Sequence, residues 1–231
     1  MITGDRKPLE EIAAMVEGFE HVLVIGCATC VTVCMAGGER EAEETALALA
    51  LADKERGIER EVWYANVERQ CDEEFLQERA DHVARADVIV SLACGCGIQH
   101  MATVFPDKVV YPGLNTTFMG VAEELGVWSE RCLGCGDCVL HLTGGVCPIT
   151  RCSKSLLNGP CGGSADGKCE VDKTIACGWQ LIHDRLEAID QLERLDEVLP
   201  PKDWSTAHSG GPRVRIREDV RGVDDEEEGV D

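Results

Sequence analysis

Eight of the fourteen cysteines in this 231-residue sequence fall between Cys132 and Cys177, and the run opens as Cys132-Leu-Gly-Cys135-Gly-Asp-Cys138. Three thiols, each separated from the next by two residues in a glycine-bearing loop, can turn their sulfurs toward one centre. Cys147, Cys152, Cys161, Cys169 and Cys177 complete the eight, enough for two four-cysteine metal clusters. Residues with this chemistry are suited to holding metal and moving electrons.

The triple has the spacing of the first three ligands of a bacterial ferredoxin cluster, in which the next cysteine precedes a proline. Cys147-Pro148 meets that condition, but eight residues intervene where the ferredoxin run has three. Structural zinc usually takes two separated Cys-x-x-Cys pairs, so the triple favours an iron–sulfur cubane. The wider spacing of the later cysteines leaves zinc as the rival at one site. Disulfides suit a short secreted domain, and no apolar signal segment opens Met1-Ile-Thr-Gly-Asp-Arg-Lys7.

Six further cysteines lie in a stretch that alternates strand and helix patterns. His21–Ile25, Glu61–Val67, Asp87–Ala93 and Lys108–Tyr111 read as short apolar strands, and Glu39–Arg56 and Asp72–Ala86 as helices. Strands joined by helix-length crossovers predict an α/β fold with a small open parallel sheet, Rossmann-like, covered on both faces. Cys27, Cys71 and Cys94 each follow the carboxyl end of a predicted strand, and in an open parallel sheet those ends form the ligand crevice. Cys30 and Cys34 lie on the loop after the first strand. A third metal site is expected here, completed by Cys30 or Cys27, with Cys34 ambiguous and Cys96 the expected bystander. Burial as a small hydrophobe is the competing role for any one of these thiols.

The chain divides, on this reading, into an α/β domain over 1–127, a cysteine-rich cluster module plus helix over 128–200, and a docking segment with an acidic tail over 201–231. The helix starts at Trp179, shows Ile182, Leu186 and Ile189 on one face, and stops at Pro200-Pro201. Metal is expected to order the module, which has little apolar periodicity of its own. Trp204 is expected either to anchor in a partner's pocket or to pack back on its own module.

A net charge of −21 argues against nucleic acid and against an anionic membrane surface. No apolar run approaches the roughly 20 residues of a spanning helix. Gly26-Cys-Ala-Thr-Cys30 lacks the Gly-x-Gly-x-x-Gly spacing, and Glu39, Glu41, Glu43 and Glu44 would set like charge against a phosphate. No Ser–His–Asp set or paired carboxylates stand out, and His141 and His183 are expected on the surface or beside ligands rather than as ligands. Reduced thiols without an export signal imply the cytoplasm, and oxygen-labile clusters imply an anaerobe.

Several motifs occur in order: Gly26-Cys-Ala-Thr-Cys30, Leu92-Ala-Cys-Gly95, Leu114-Asn-Thr116, the cysteine triple, Thr143-Gly-Gly-Val-Cys-Pro-Ile-Thr-Arg-Cys152, Leu156-Leu-Asn-Gly-Pro-Cys-Gly-Gly163, Gly167-Lys-Cys-Glu170 and Cys177-Gly-Trp179. Together they resemble the MetV family of small iron–sulfur subunits, also described as the methylenetetrahydrofolate reductase C-terminal domain family. The likeness spans roughly residues 20–206 and excludes the acidic tail. It implies a non-catalytic subunit with two or three 4Fe–4S clusters that feeds electrons to the flavin of a methylenetetrahydrofolate reductase catalytic subunit. A ferredoxin-like, heterodisulfide-reductase-like or NADH-oxidising protein would be the donor. A zinc-stapled adaptor, or a stand-alone iron–sulfur enzyme with an open iron in the first domain, are the competing functions.

Overall fold

The computed structural model describes residues 1–217 and Asp219. Two compact units emerge, Met1–Cys132 and Leu133–Asp231. The acidic run Asp224–Glu228 lies outside the described residues.

The first unit is α/β. Its elements are β1 (Ile2–Arg6), α1 (Leu9–Met15), β2 (His21–Cys27), α2 (Cys30–Val33), α3 (Glu39–Arg56), β3 (Glu61–Val67), α4 (Glu73–Gln77), α5 (Ala80–Arg85), β4 (Val88–Ser91), α6 (Gly95–Val104), β5 (Val109–Pro112), β6 (Leu114–Glu124) and β7 (Val127–Cys132). The parallel sheet has the order β3-β2-β4-β5, with Val22 opposite both Val62 and Val88. Alternate side chains of β2 go to opposite faces. Val22 and Val24 join Ile12, Ala46 and Leu49 of α1 and α3 in one core. Leu23 and Ile25 join Leu76, Val83 and Met101 of α4, α5 and α6 in the other. Both faces are therefore covered, which is why β2 reads as a continuous apolar run.

Local chemistry sets the ends of the longest helix. At the start of α3 the Gly38 N–H donates to the Glu41 carboxylate at 2.9 Å. At its end Gly57 takes a left-handed conformation (φ 69°) after Lys54 and Arg56. The expected helix over 72–86 is two helices. Between them Arg79 departs from helical dihedrals, and its Nε–H donates to the Asn66 carbonyl at 3.0 Å, tying the break to β3. Cys30, expected in a loop, opens the short helix α2, and Cys34 caps its end.

A second, antiparallel sheet of order β1-β6-β7 was not foreseen. β1 pairs with residues more than 100 positions away, Arg6 opposite Leu114. Its sequence, Ile-Thr-Gly-Asp-Arg, has neither the length nor the alternation that announces a strand.

The second unit has little regular structure before α7 (Pro148–Arg151) and α8 (Gly178–Ala188). Pro148 occupies the first turn of α7, where its missing N–H costs nothing. Ile182 and Leu186 of α8 are fully buried with Trp179 and Cys177, and Ile189 packs beside them, the face expected from their spacing. Among the described residues no helix is long and apolar enough to cross a membrane.

Candidate metal centres

The strand order brings the ends of β2, β3 and β4 side by side, and with them Cys27 at the end of β2 and Cys71 and Cys94 after β3 and β4. One buried amide organises this edge. Gln70, fully buried, donates through Nε2 to the carbonyls of Ile25 (3.1 Å) and Gly26 (3.0 Å) at the end of β2. Its Oε1 accepts from the Ser91 hydroxyl at the end of β4 (2.6 Å), and Ser91 Oγ accepts from the Ala93 N–H at 3.2 Å. Cys71 follows Gln70 directly, and Cys94 follows Ala93 as the N-cap of α6. A Cβ on Gly97 would lie 2.8 Å from Gln70 Cβ, so only glycine lets the first turn of α6 pack this closely.

The thiols at this edge act on one another. Burial pushes the Cys71 thiol up, and the neighbouring thiols of Cys94 and Cys27 push it further. Cys96 is raised by burial, by Cys94, to which it is hydrogen-bonded, and by Cys30. Cys27 Sγ lies 3.5 Å from Thr29 Oγ1 and 4.0 Å from the Glu68 carbonyl, on the side of the loop leading to Cys71. Cys30 also lines a groove of about 360 Å³ with Met1, Ile2, Met119 and Cys132, the first member of the triple. Cys34 faces elsewhere: its sulfur meets the carbonyls of Val31 (3.5 Å) and Gly4 (3.8 Å), and burial raises its pKa. It packs in the core beneath α2.

In the second unit, Cys152, Cys161, Cys169 and Cys177 share one neighbourhood. Cys152 packs on the core that holds Cys177. Cys169 Sγ lies 3.4 Å from the Ser153 hydroxyl, which holds its pKa below the usual thiol range with help from the backbone of Val171 and Asp172. Cys161 touches the Lys154–Glu170 ion pair (2.5 Å). A Cβ on Gly163 would strike the Glu170 carboxylate at 2.2 Å, so the glycine makes room for that pair. Cys147 caps the start of α7.

Cys135 and Cys138 sit in a loop braced from 65 to 79 positions downstream. Lys202, its side chain 2 % exposed, donates to the Asp137 carbonyl at 2.8 Å and pairs with its carboxylate at 3.2 Å. Thr206 donates to the Cys135 carbonyl at 2.9 Å, and Arg213 to that of Gly134 at 3.0 Å. Gly136 has φ 84°, and a Cβ there would lie 2.2 Å from the Thr206 carbonyl. Trp204 is partly exposed, with the Lys202 amine 5.8 Å over its ring. Removing everything after Pro201 is therefore expected to loosen residues 134–138, with roughly tenfold faster amide exchange there and loss of metal bound through Cys135 and Cys138. Exchange and metal content equal to those of the full chain would show that the brace is dispensable.

Among the described residues no disulfide forms, and no three His, Cys, Asp or Glu side chains stand close enough together to grip a metal ion. The donor sets are nevertheless sulfur throughout, and soft thiolates select iron–sulfur clusters or zinc. Burial raises Cys71 and Cys96 by stripping water from the thiolate, and repulsion from neighbouring thiolates adds to it; a cation between them would oppose both.

Gln70, Ser91 and Cys96 had no role assigned from sequence; the only local signal was that Gln70 and Cys96 flank cysteines already singled out. Searches of curated proteins and of solved structures found no match to the chain. A protein-family model described as "Methylene-tetrahydrofolate reductase C terminal" matches residues 111–205, a stretch that holds all eight cysteines from Cys132 to Cys177 and none of the crevice. Over that stretch the chain is similar to the methylene-tetrahydrofolate reductase C-terminal family.

Proposed function

We propose that this chain is the iron–sulfur subunit of a methylenetetrahydrofolate reductase, delivering electrons to the flavin of a separate catalytic subunit. The observation that carries the reading is the gathering of cysteines from three separate segments at the carboxyl edge of the parallel sheet, in a chain whose family-matched stretch holds eight more. Bound clusters would supply one-electron transfer, and a flavin can accept two electrons in sequence.

The chain's own residues hold and tune such groups. Cys27, Cys71 and Cys94 would hold one at the crevice; Cys152, Cys161, Cys169 and Cys177 a second; Cys135, Cys138 and Cys147 would serve a third. Hydrogen bonds to sulfur, exposure and nearby charge set the potential of each, and the Ser153 hydroxyl beside Cys169 is one such lever. The start of α3, where a nucleotide phosphate would otherwise sit, has its Gly38 N–H bonded to the buried Glu41 carboxylate. That placement supports a relay over a nucleotide-binding enzyme.

Zinc is the second reading at the Cys152–Cys177 set alone, because those thiols come from compact loops fixed on a small apolar core, as closed structural zinc sites do. Iron, sulfide and zinc analysis of anaerobically purified protein separates the two. The function is tested by mixing flavin-loaded catalytic subunit with a reduced ferredoxin-type donor. Flavin reduction is expected to require this chain, and a rate unchanged by its omission would refute the relay.

A further inference from the structure

We propose that a cavity in the second unit binds a free apolar α-amino acid, with Arg194 holding its carboxylate, Glu197 its ammonium and the walls its side chain. The cavity measures about 340 Å³, and α8 forms one side of it. Leu157, Trp179, Leu195 and Leu199 give it apolar walls, and Val198, 83 % exposed, an apolar lip. Small-molecule sites have this make-up, a concave and mostly apolar space with a few polar groups that set orientation.

The walls are anchored. Trp179 is 6 % exposed, and its indole N–H donates to the Leu156 carbonyl at 3.0 Å. Asn158 clamps Leu199 from 41 positions away, donating from Nδ2 to its carbonyl at 2.9 Å and accepting from its N–H at 2.7 Å. Little ordering is therefore left for a ligand to drive.

The charges on these walls are of both signs. His183 and Gln180 border the cavity, but both are engaged by Asp184, at 3.5 Å and 2.6 Å. Arg194 is half-buried, and its Nε–H donates to Gln191 Oε1 at 2.8 Å, which orients the guanidinium. Glu197 follows the short 3₁₀ turn Leu192–Asp196 and lines the cavity as well. Among the described residues neither Arg194 nor Glu197 forms an ion pair, although residues three apart project from one side of a 3₁₀ turn. A lone carboxylate would suit Arg194 but face Glu197, and a lone amine the reverse. An α-amino acid carries both charges on one carbon, and its carboxylate can take the paired N–H groups of the guanidinium. The apolar walls then select an apolar side chain, since a polar one would be buried without partners.

The test is calorimetry on the full chain, purified without oxygen, with L-leucine as the probe. Leucine is expected to bind. Isocaproate lacks its ammonium and isoamylamine its carboxylate, and both are expected to bind at least about tenfold more weakly. Arg194→Met and Glu197→Gln should each weaken leucine about 10–100-fold. Circular dichroism and metal content, followed because Cys177 also borders the cavity, are expected to stay unchanged. Glu197 is exposed, so its variant serves even if Arg194→Met fails to fold. No heat from leucine at about 10 mM, equal affinity in wild type and Glu197→Gln, or isocaproate binding as tightly as leucine overturns the proposal. Failure of leucine to bind, together with loss of the flavin subunit from Arg194→Met, would make the cavity a protein contact instead.

Discussion

Arg60→Ala is expected to destabilise the first unit by about 3–5 kcal/mol, the cost of leaving a buried charge without its partner. Arg60 Nε lies 3.0 Å from Asp53 Oδ2, and the two side chains are only 2 % and 3 % exposed. Arg60 also donates from Nη1 to the Val16 carbonyl at 2.9 Å, so one guanidinium joins the end of α3 to the chain after α1. The Nε–H is not aimed well enough at the carboxylate to hydrogen-bond it, and neither Asp53 oxygen has another hydrogen bond. The pair is therefore held by charge at close range with little compensation. It follows that Asp53→Leu combined with Arg60→Met should be far milder than either change alone, and near neutral. Urea unfolding of the four proteins measures this as a double-mutant cycle. A double variant that loses as much stability as the two single variants added together would show that the pair carries no coupling.

Gln70→Leu is expected to cost about 2–4 kcal/mol and to weaken metal retention at the crevice by about 10–100-fold. Leucine fills much of the same space, so the loss comes from polar groups left buried without partners. The Ser91 hydroxyl loses its acceptor, and the Gly26 and Ile25 carbonyls both lose the Gln70 amide, though the Ile25 carbonyl keeps the Leu92 N–H. Gln70 is a positioning residue: its amide ties the end of β2 to the end of β4 and so sets where Cys71 stands relative to Cys94. Ser91→Ala removes one of these bonds and is expected to cost about 1 kcal/mol with metal retained. Metal content and thermal unfolding together separate the roles. A Gln70→Leu protein with lowered stability but wild-type affinity at the crevice would make Gln70 merely structural.

The parallel sheet was legible in sequence because its signal is local. Val22 to Ile25 are apolar without interruption, as a strand covered on both faces must be; α3 carries its own caps, and α8 its apolar face. The thiol inventory and the likeness of Cys132–Trp179 to the family were equally local, since they depend on residue type and spacing along the chain. Placement across space was not. β1 found β6 through more than 100 intervening residues, a pairing that no pattern within Ile-Thr-Gly-Asp-Arg encodes. Helix periodicity over 72–86 did not show the break at Arg79, because the bond to Asn66 belongs to another element. Cys34 and Cys96 were separable only by fold: the first turns to the Gly4 carbonyl of β1, the second to Cys94 at the opened edge of the sheet. Sequence alone determined the number and spacing of the thiols and that three of them lie at or after strand ends. Which thiols meet was decided by the order β3-β2-β4-β5 and by one buried amide, because convergence depends on which strands become neighbours, and that is settled by packing over the whole unit.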